Sequence, residues 1–283
     1  MIANKKRLNL LMLLSLFLFV GCQKLDRPAL GDYPQDVNPP GGPLKFYVAF
    51  DGTSNRSSMN AVDSILANFP TDNPLKSIDG ISGKAVQGEA GKFIKYARPN
   101  DWAAASKSFT LSFWIKRDGQ TKNNINDNGA EFIMSFKSNV SHWSGANMFV
   151  LLEGNNAACA IKTLIVDKSV KDAWLNWEGG NAVSGLLDNK WHHIALVYDA
   201  GTSTMTLYQD GIANSNKRTW TGHGDINLDE SKITEMRVGC GPANNFSGED
   251  WLSSSWKGGL DQFRMYAVAL SPAEVTELYN NKK

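Results

Sequence analysis

The chain predicts an all-β fold, an antiparallel sandwich of jelly-roll type with one short C-terminal helix. Roughly ten strand-like segments are separated by turn residues, with no long helical period between them. Several alternate apolar and polar residues with a period of two, which a half-buried strand requires. The one clear helix start lies after Ser271.

The elements follow in order. Residues 45–50 and 93–96 read as early strands. In Phe109-Thr110-Leu111-Ser112-Phe113-Trp114-Ile115-Lys116, alternation puts Phe109, Leu111, Phe113 and Ile115 on one face. Residues 131–136, 148–153 and 160–166 continue the pattern. Around Trp191, the side chains of Ile194, Leu196 and Tyr198 share a face. Residues 204–209 run into Asp210-Gly211, a hairpin turn signal. Residues 235–239 and 260–266 complete the strands. Ser271 then suits a helix N-cap, Pro272 the first helical position, and Glu274 completes a capping box. Val275 and Leu278 share the face that packs on the sandwich.

Upstream of this domain, Lys5, Lys6 and Arg7 form a basic head, followed by a thirteen-residue apolar run from Leu8 to Val20. A helix needs about 20 residues to span a bilayer, so the run fits the apolar core of a signal peptide. It ends in Phe19-Val20-Gly21-Cys22, which resembles the lipobox of bacterial lipoproteins, although Phe19 stands where that motif usually carries Leu. Residues 1–21 are thus read as a lipoprotein signal peptide and Cys22 as the lipidation point. Residues 22–43 form a tether with Pro28, Pro34, Pro39, Pro40 and Pro43, a composition that stays extended. Residues 44–283 are read as one domain.

Removing the basic head takes Lys plus Arg from 29 to 26 against 28 Asp plus Glu, leaving about −2 with mixed signs. No basic field attracts nucleic acid. Beyond Cys22 only Cys159 and Cys240 remain, and both a disulfide and two separate buried thiols are compatible with export.

Three ordered segments carry a resemblance. Ser108 to Ile115 is similar to an early core strand of the laminin-G-like, concanavalin A-like jelly-roll family. Trp191-His192-His193-Ile194-Ala195 with Leu207-Tyr208-Gln209-Asp210-Gly211 resembles its central strand and hairpin. Gly259-Leu260-Asp261-Gln262-Phe263-Arg264-Met265-Tyr266, then Ala269-Leu270-Ser271-Pro272, resembles the closing strand and helix of bacterial members. Phe50-Asp51-Gly52 and Gly83-Lys84-Ala85-Val86 fit the family's opening strand and turn. The resemblance implies Trp114 and Trp191 as structural, one of His192 and His193 packed inward, and a possible structural calcium at Asp51 and Asp261.

This fold hosts enzymes as well as binding modules, so function rests on the residues. The family's glucanases alternate carboxylates along one strand, whereas Glu153, Glu178 and Glu249 are isolated here. No nucleophile-and-base pair and no zinc spacing stands out. Nine tryptophans are many, and several lie among Gly, Asn and Ser. The stretches are residues 141–147 with Trp143, residues 172–181 with Trp174, Asn176, Trp177 and Glu178, and residues 244–256 with Asp250, Trp251 and Trp256. Read as loops, they offer aromatic platforms flanked by amides and carboxylates, which suit a sugar's apolar face and hydroxyl rim. The alternative is that the rings fold back and plug the sandwich ends. The expectation is a lipid-anchored envelope protein displaying a non-catalytic module for carbohydrate. Gln23 favours the outer membrane. The alternative is a scaffold for a protein partner, and a glycoside hydrolase ranks third.

Overall fold

The computed structural model describes residues 41–70, 75–99, 101–121, 129–246 and 250–282. The signal segment, Cys22, nearly all of the tether and Glu249 lie outside the described residues.

The first strands are β1 (Leu44–Val48), β2 (Lys76–Asp79), β3 (Lys84–Gln87) and β4 (Ile94–Tyr96), followed by the single turn of helix α1 (Trp102–Ala105). Next come β5 (Phe109–Asp118), β6 (Glu131–Ser138), β7 (Ala146–Gly154), β8 (Cys159–Val166) and β9 (Asp172–Trp177). The remainder are β10 (Asp188–Asp199), β11 (Thr204–Gln209), β12 (Ile212–Ala213), β13 (Arg218–Thr219), β14 (Ile233–Val238), β15 (Gly259–Tyr266) and helix α2 (Pro272–Asn281).

The strands form two antiparallel sheets. One has nine strands in the order β12-β11-β10-β5-β15-β3-β2, with β1 also on β15 and β13 on β11. The other has six, in the order β4-β14-β6-β7-β8-β9. This is the predicted jelly-roll sandwich, with its C-terminal helix in place.

The core lies between the sheets and follows from the alternation. Phe109, Leu111, Phe113 and Ile115 of β5 all face it, as do Ile194, Leu196 and Tyr198 of β10. Phe113 stacks on Phe263 with centroids 5.7 Å apart, and Phe46 meets Tyr96 edge-on at 5.0 Å. Each such ring contributes about 1.5–3 kcal/mol by leaving water. The Asp210-Gly211 turn has positive φ at both residues, 51° and 78°, as a two-residue hairpin turn needs.

Helix α2 starts as predicted. Glu274 N donates to Ser271 Oγ, while Glu274 Oε2 accepts from Ser271 N at 2.7 Å. Val275 is fully buried and Leu278 packs beside it, against Ala195, Val197 and Tyr208 on the outer face of the nine-stranded sheet. Tyr279 of α2 stacks over Trp114 at 5.6 Å.

Two expectations change. Residues 172–177 form the strand β9 rather than a loop. The edge strand β2 and its neighbour β3 were not anticipated, because both are short and β2 is largely polar. Cys159 and Cys240 are separate free thiols, both buried.

Candidate ligand-binding face

The candidate site is built on the outer face of the six-stranded sheet. Pairing register places Ser135 of β6 beside Phe149 of β7, Phe149 beside Leu164 of β8, and Leu164 beside Trp174 of β9. That row points away from the core and is apolar at its centre, with Phe149 and Leu164 fully buried. Water is kept off it by other chain segments. Residues 241–246 and 250–255 cross β14 and β6, held down by Arg237, whose guanidinium donates to the carbonyls of Gly241 and Ala243 and to Asn244 Oδ1. Leu252 and Trp251 on this segment pack against the row.

Three indoles finish the cover and remain partly in water. Trp251 sits in a 3-10 turn whose Leu252 N–H is capped by Asp250 Oδ1. Its ring stacks on Phe132 at 5.8 Å and meets Phe149 edge-on at 6.3 Å. Trp174 meets Phe149 edge-on at 5.5 Å. Trp143, from the turn between β6 and β7, lies near-parallel to Trp174 at 6.2 Å and tilted to Trp251 at 6.2 Å. Trp143 is 57% exposed and Trp174 37%, so both present ring surface to solvent. Large apolar side chains held in the open on a rigid sheet are the usual mark of a contact surface.

A polar strip runs beside the rings. Lys162 of β8 faces outward next to Asn176 of β9. Its ammonium is 3.0 Å from Glu153 Oε2 and 3.0 Å from Glu178 Oε2. Asn176 Nδ2 donates to Glu178 Oε1 at 3.1 Å, while Asn176 Oδ1 is an acceptor without a partner among the described residues. Hydrogen bonds from Lys162 and Asn176 hold the Glu178 carboxyl below its usual range. On the other side of Trp174 lies Asp172, 3.7 Å from His142 Nε2, and His142 Nδ1 shares a hydrogen bond with Ser144.

The structure therefore brings together Trp143, Trp174, Trp251, Asn176 and Glu178. It removes Trp177 from the set. Trp177 is 0% exposed, faces the core from β9, and donates from Nε1 to the carbonyl of Asn216. The reason is geometric: positions three apart on a strand lie on opposite faces, so Trp174 outward requires Trp177 inward. Trp256 is likewise fully buried, its Nε1 donating to Gly259 O at 3.1 Å. Sequence reasoning missed Lys162, Glu153 and the Phe149 floor. One signal was present: Lys162 interrupts the apolar run of β8, and a lone cation there marks the face that meets water.

Asp51 and Asp261 also come together, at the opposite sheet. Asp261 is fully buried on β15, and its Oδ2 accepts from Ile81 N at 2.7 Å. Asp51 Oδ1 accepts from Lys84 N at 2.8 Å. Burial pushes the Asp261 carboxyl up to about 7, and the neighbouring Asp51 charge adds to this against backbone hydrogen bonds that pull it down. Asp261 Oδ1 is buried with no partner among the described residues. A side chain at Gly80 or Gly83 would collide with these carboxylates, so the turn between β2 and β3 closes tightly over them. Calcium takes six to eight oxygen ligands; these two carboxylates offer hard oxygens, and no cluster of three or more acidic, histidine or cysteine side chains placed to hold a metal occurs among the described residues.

Carboxylates and histidines bear on catalysis. Glycoside hydrolysis needs one carboxyl that carries a proton. Glu178, bound to Lys162 and Asn176, is held ionised instead. Ser112 Oγ lies 2.9 Å from His193 Nε2, but both residues are fully buried beneath α2. His192 is the more exposed of the two, on the same side of β10 as Ile194, and bonds to Asp210 at 2.8 Å and Asp188 at 2.9 Å.

The family model described as the concanavalin A-like lectin/glucanases superfamily, of laminin-G type, matches residues 91–276. No curated protein matches the chain. Among solved structures, the chain is similar to domain 4 of AbnA, an extracellular arabinanase from Geobacillus stearothermophilus, in complex with arabinotriose. The TM-score is 0.56 at 17% identity, covering 84% of this chain and 98% of that one. The binding domain of botulinum neurotoxin serotype G gives 0.55 at 16% identity, covering 83% and 50%. That of botulinum neurotoxin DC, solved with SialylT, gives 0.54 at 12%, covering 85% and 52%. The chain thus spans about half of the toxin domains, and at these identities the likeness is one of fold. Because the family model covers the core strands, the central hairpin and the capped helix start, the chain belongs to the laminin-G-like branch of the concanavalin A-like lectin/glucanase superfamily.

Proposed function

We propose that this protein is a non-catalytic carbohydrate-binding module, displayed at the bacterial cell envelope by a lipid on Cys22. The observation that carries the binding half is the set of Trp143, Trp174 and Trp251 on an open sheet face, beside Lys162, Asn176 and Glu178. A sugar ring stacked on an indole loses its C–H face from water, while amide and carboxylate groups take its hydroxyls. The arabinanase domain solved with arabinotriose supports the same class of ligand. A glycan array on the purified protein tests the reading. At least one oligosaccharide should bind, and Trp174→Ala should weaken it about tenfold to a hundredfold, the loss of one stacked ring. Absence of any glycan binding overturns it. The second reading, a protein partner on this face, is favoured by the continuity of the three indoles with Phe132 and Phe149.

The envelope half rests on the basic head, the apolar run and Gly21-Cys22. Cys22→Ala should move the protein from the detergent phase to the aqueous phase, and unchanged partition overturns the anchor. Gln23 after the cysteine supports the outer membrane as the address.

A structural calcium at Asp51 and Asp261 is the third part. Bound there, the ion would supply charge to two carboxylates that the fold places together and would pin the chain end of β1 to β15. Calcium should raise the melting temperature, a chelator should reverse the rise, and Asp261→Asn should abolish the response. Superimposable melting curves in calcium and chelator overturn this site.

A further inference from the structure

Resting on the carbohydrate reading above, we infer that the protein holds a second oligosaccharide site, in a cleft at one end of the sandwich and apart from the open sheet face. The cleft encloses about 870 Å³, within the range of roughly 300–1,000 Å³ that small-molecule sites occupy. Its walls come from α1, the turn joining β8 to β9, and the segment between β13 and β14. Trp143, Trp174 and Trp251 do not line it.

The segment between β13 and β14 is irregular apart from a 3-10 turn at Glu230–Lys232, yet its neighbours hold it in place. Tyr198 Oη donates to Gly224 O at 2.8 Å, and Gly224 N donates to Ser203 Oγ at 2.8 Å. Ile226 N donates to Lys107 O at 2.9 Å, and Lys168 N donates to Asn227 O at 2.7 Å. Arg98 Nη1 donates to Glu230 O at 2.7 Å. His223 stacks on Trp220 with ring centroids 3.5 Å apart. A wall tied down at so many points is preformed, and a ligand does not have to order it.

The lining suits a sugar. The floor is apolar, with Ala103, Ile226 and Leu228 buried in the core. The rim mixes donors and acceptors. Lys107 Nζ lies 3.2 Å from Asp225 Oδ2, and Arg98 Nη2 lies 3.4 Å from Glu230 Oε1. Both pairs stand partly in water, where ion pairs are weak and exchange partners readily. The Lys168 ammonium and the Asn227 amide are exposed and have no side-chain partner among the described residues. A sugar hydroxyl donates and accepts hydrogen bonds at once, so it pairs with such a rim group by group. Its C–H face covers the apolar floor. A purely apolar ligand would strip water from the rim and leave it unpaired.

The test is an NMR titration of the isotope-labelled full chain with arabinotriose, cellotriose and maltotriose as probes. At least one should shift backbone amides in residues 224–231, and Trp174→Ala should leave those shifts in place. The double variant Lys168→Ala/Asn227→Ala should weaken the site about tenfold or more, the loss of two hydrogen-bonding groups. Shifts at residues 172–176 should survive in that variant. Both substituted residues are exposed, and a melting curve matching the parent's confirms that the variant folds. Shifts confined to residues 172–176 in the parent overturn the second site and leave the carbohydrate reading standing. Shifts at residues 224–231 that persist at unchanged affinity in the double variant also overturn it. No shift with any trisaccharide, joined to an empty glycan array, overturns both.

Discussion

The outer face of the nine-stranded sheet is closed over β5, β10 and β11 by α2, whereas that of the six-stranded sheet is crossed only over β14 and β6. Both faces carry tryptophans on strands or turns. Under α2, Trp114 is 1% exposed, stacked on Tyr279 and set beside His193. On the other face Trp143 and Trp174 keep ring surface in water. The difference teaches that a tryptophan's role here is set by what the chain lays over it. A capped helix turns one face into a second core. A short irregular segment leaves the other as a platform.

The largest expected effect breaks the comparison directly. Trp114→Ala should cost about 3–5 kcal/mol of stability, the penalty for emptying a packed aromatic site. Trp143→Ala should stay within about 1 kcal/mol of the parent, since its ring is largely exposed. Chemical denaturation of the two variants measures this, and equal losses would mean that the open face is also core. Next in size is ligand binding, where the order should invert. Trp143→Ala should lose about tenfold to a hundredfold in glycan affinity, and a sparing substitution on the closed face, Leu278→Met, should lose none.

Acid should act on the closed face. Burial pushes His193 down to about 4, with Arg264 lowering it further and Asp210 opposing. The unfolded chain therefore takes up a proton near pH 6.5 that the native chain refuses until about pH 4, so stability falls as pH drops through that window. Asp261 runs the other way, because its raised carboxyl holds a proton that the unfolded chain releases between about pH 4 and 7. Comparing the parent with His193→Gln isolates the histidine. The variant's melting temperature should fall less between pH 7 and pH 4.5. Identical pH profiles would show that His193 does not titrate with unfolding. The smallest effect sharpens the role of the cap. Ser271→Ala should cost about 1 kcal/mol, with glycan affinity unchanged.

Much of the architecture was legible because strand alternation and helix capping are local. Phe109 to Ile115 and Ser271 to Glu274 each state their structure within a few residues. The candidate site was legible only in part, because it is assembled by pairing register. Trp174-Leu175-Asn176-Trp177 reads as one platform if it is a loop and as two opposite faces if it is a strand. Only the pairing of β9 with β8 decides between them. Lys162 could be linked to Glu153 and Glu178 only once β7, β8 and β9 were side by side. The strands β2 and β3 carry mostly exposed or polar residues, so alternation had little to mark.

The placement of β15 has a consequence for how the molecule is made. It is the next-to-last element in the chain, yet it sits centrally in the nine-stranded sheet, paired with β5, β3 and β1. Without it, β1 and the β2–β3 pair have no connection to β5, β10 and β11. The contacts that join the sheet thus span almost the whole domain, from Val48 to Phe263. Such non-local pairing makes folding slow. A chain emerging from one end would reach residue 258 with its larger sheet still in three parts and its strand edges open. Those edges invite pairing with other chains until β15 arrives.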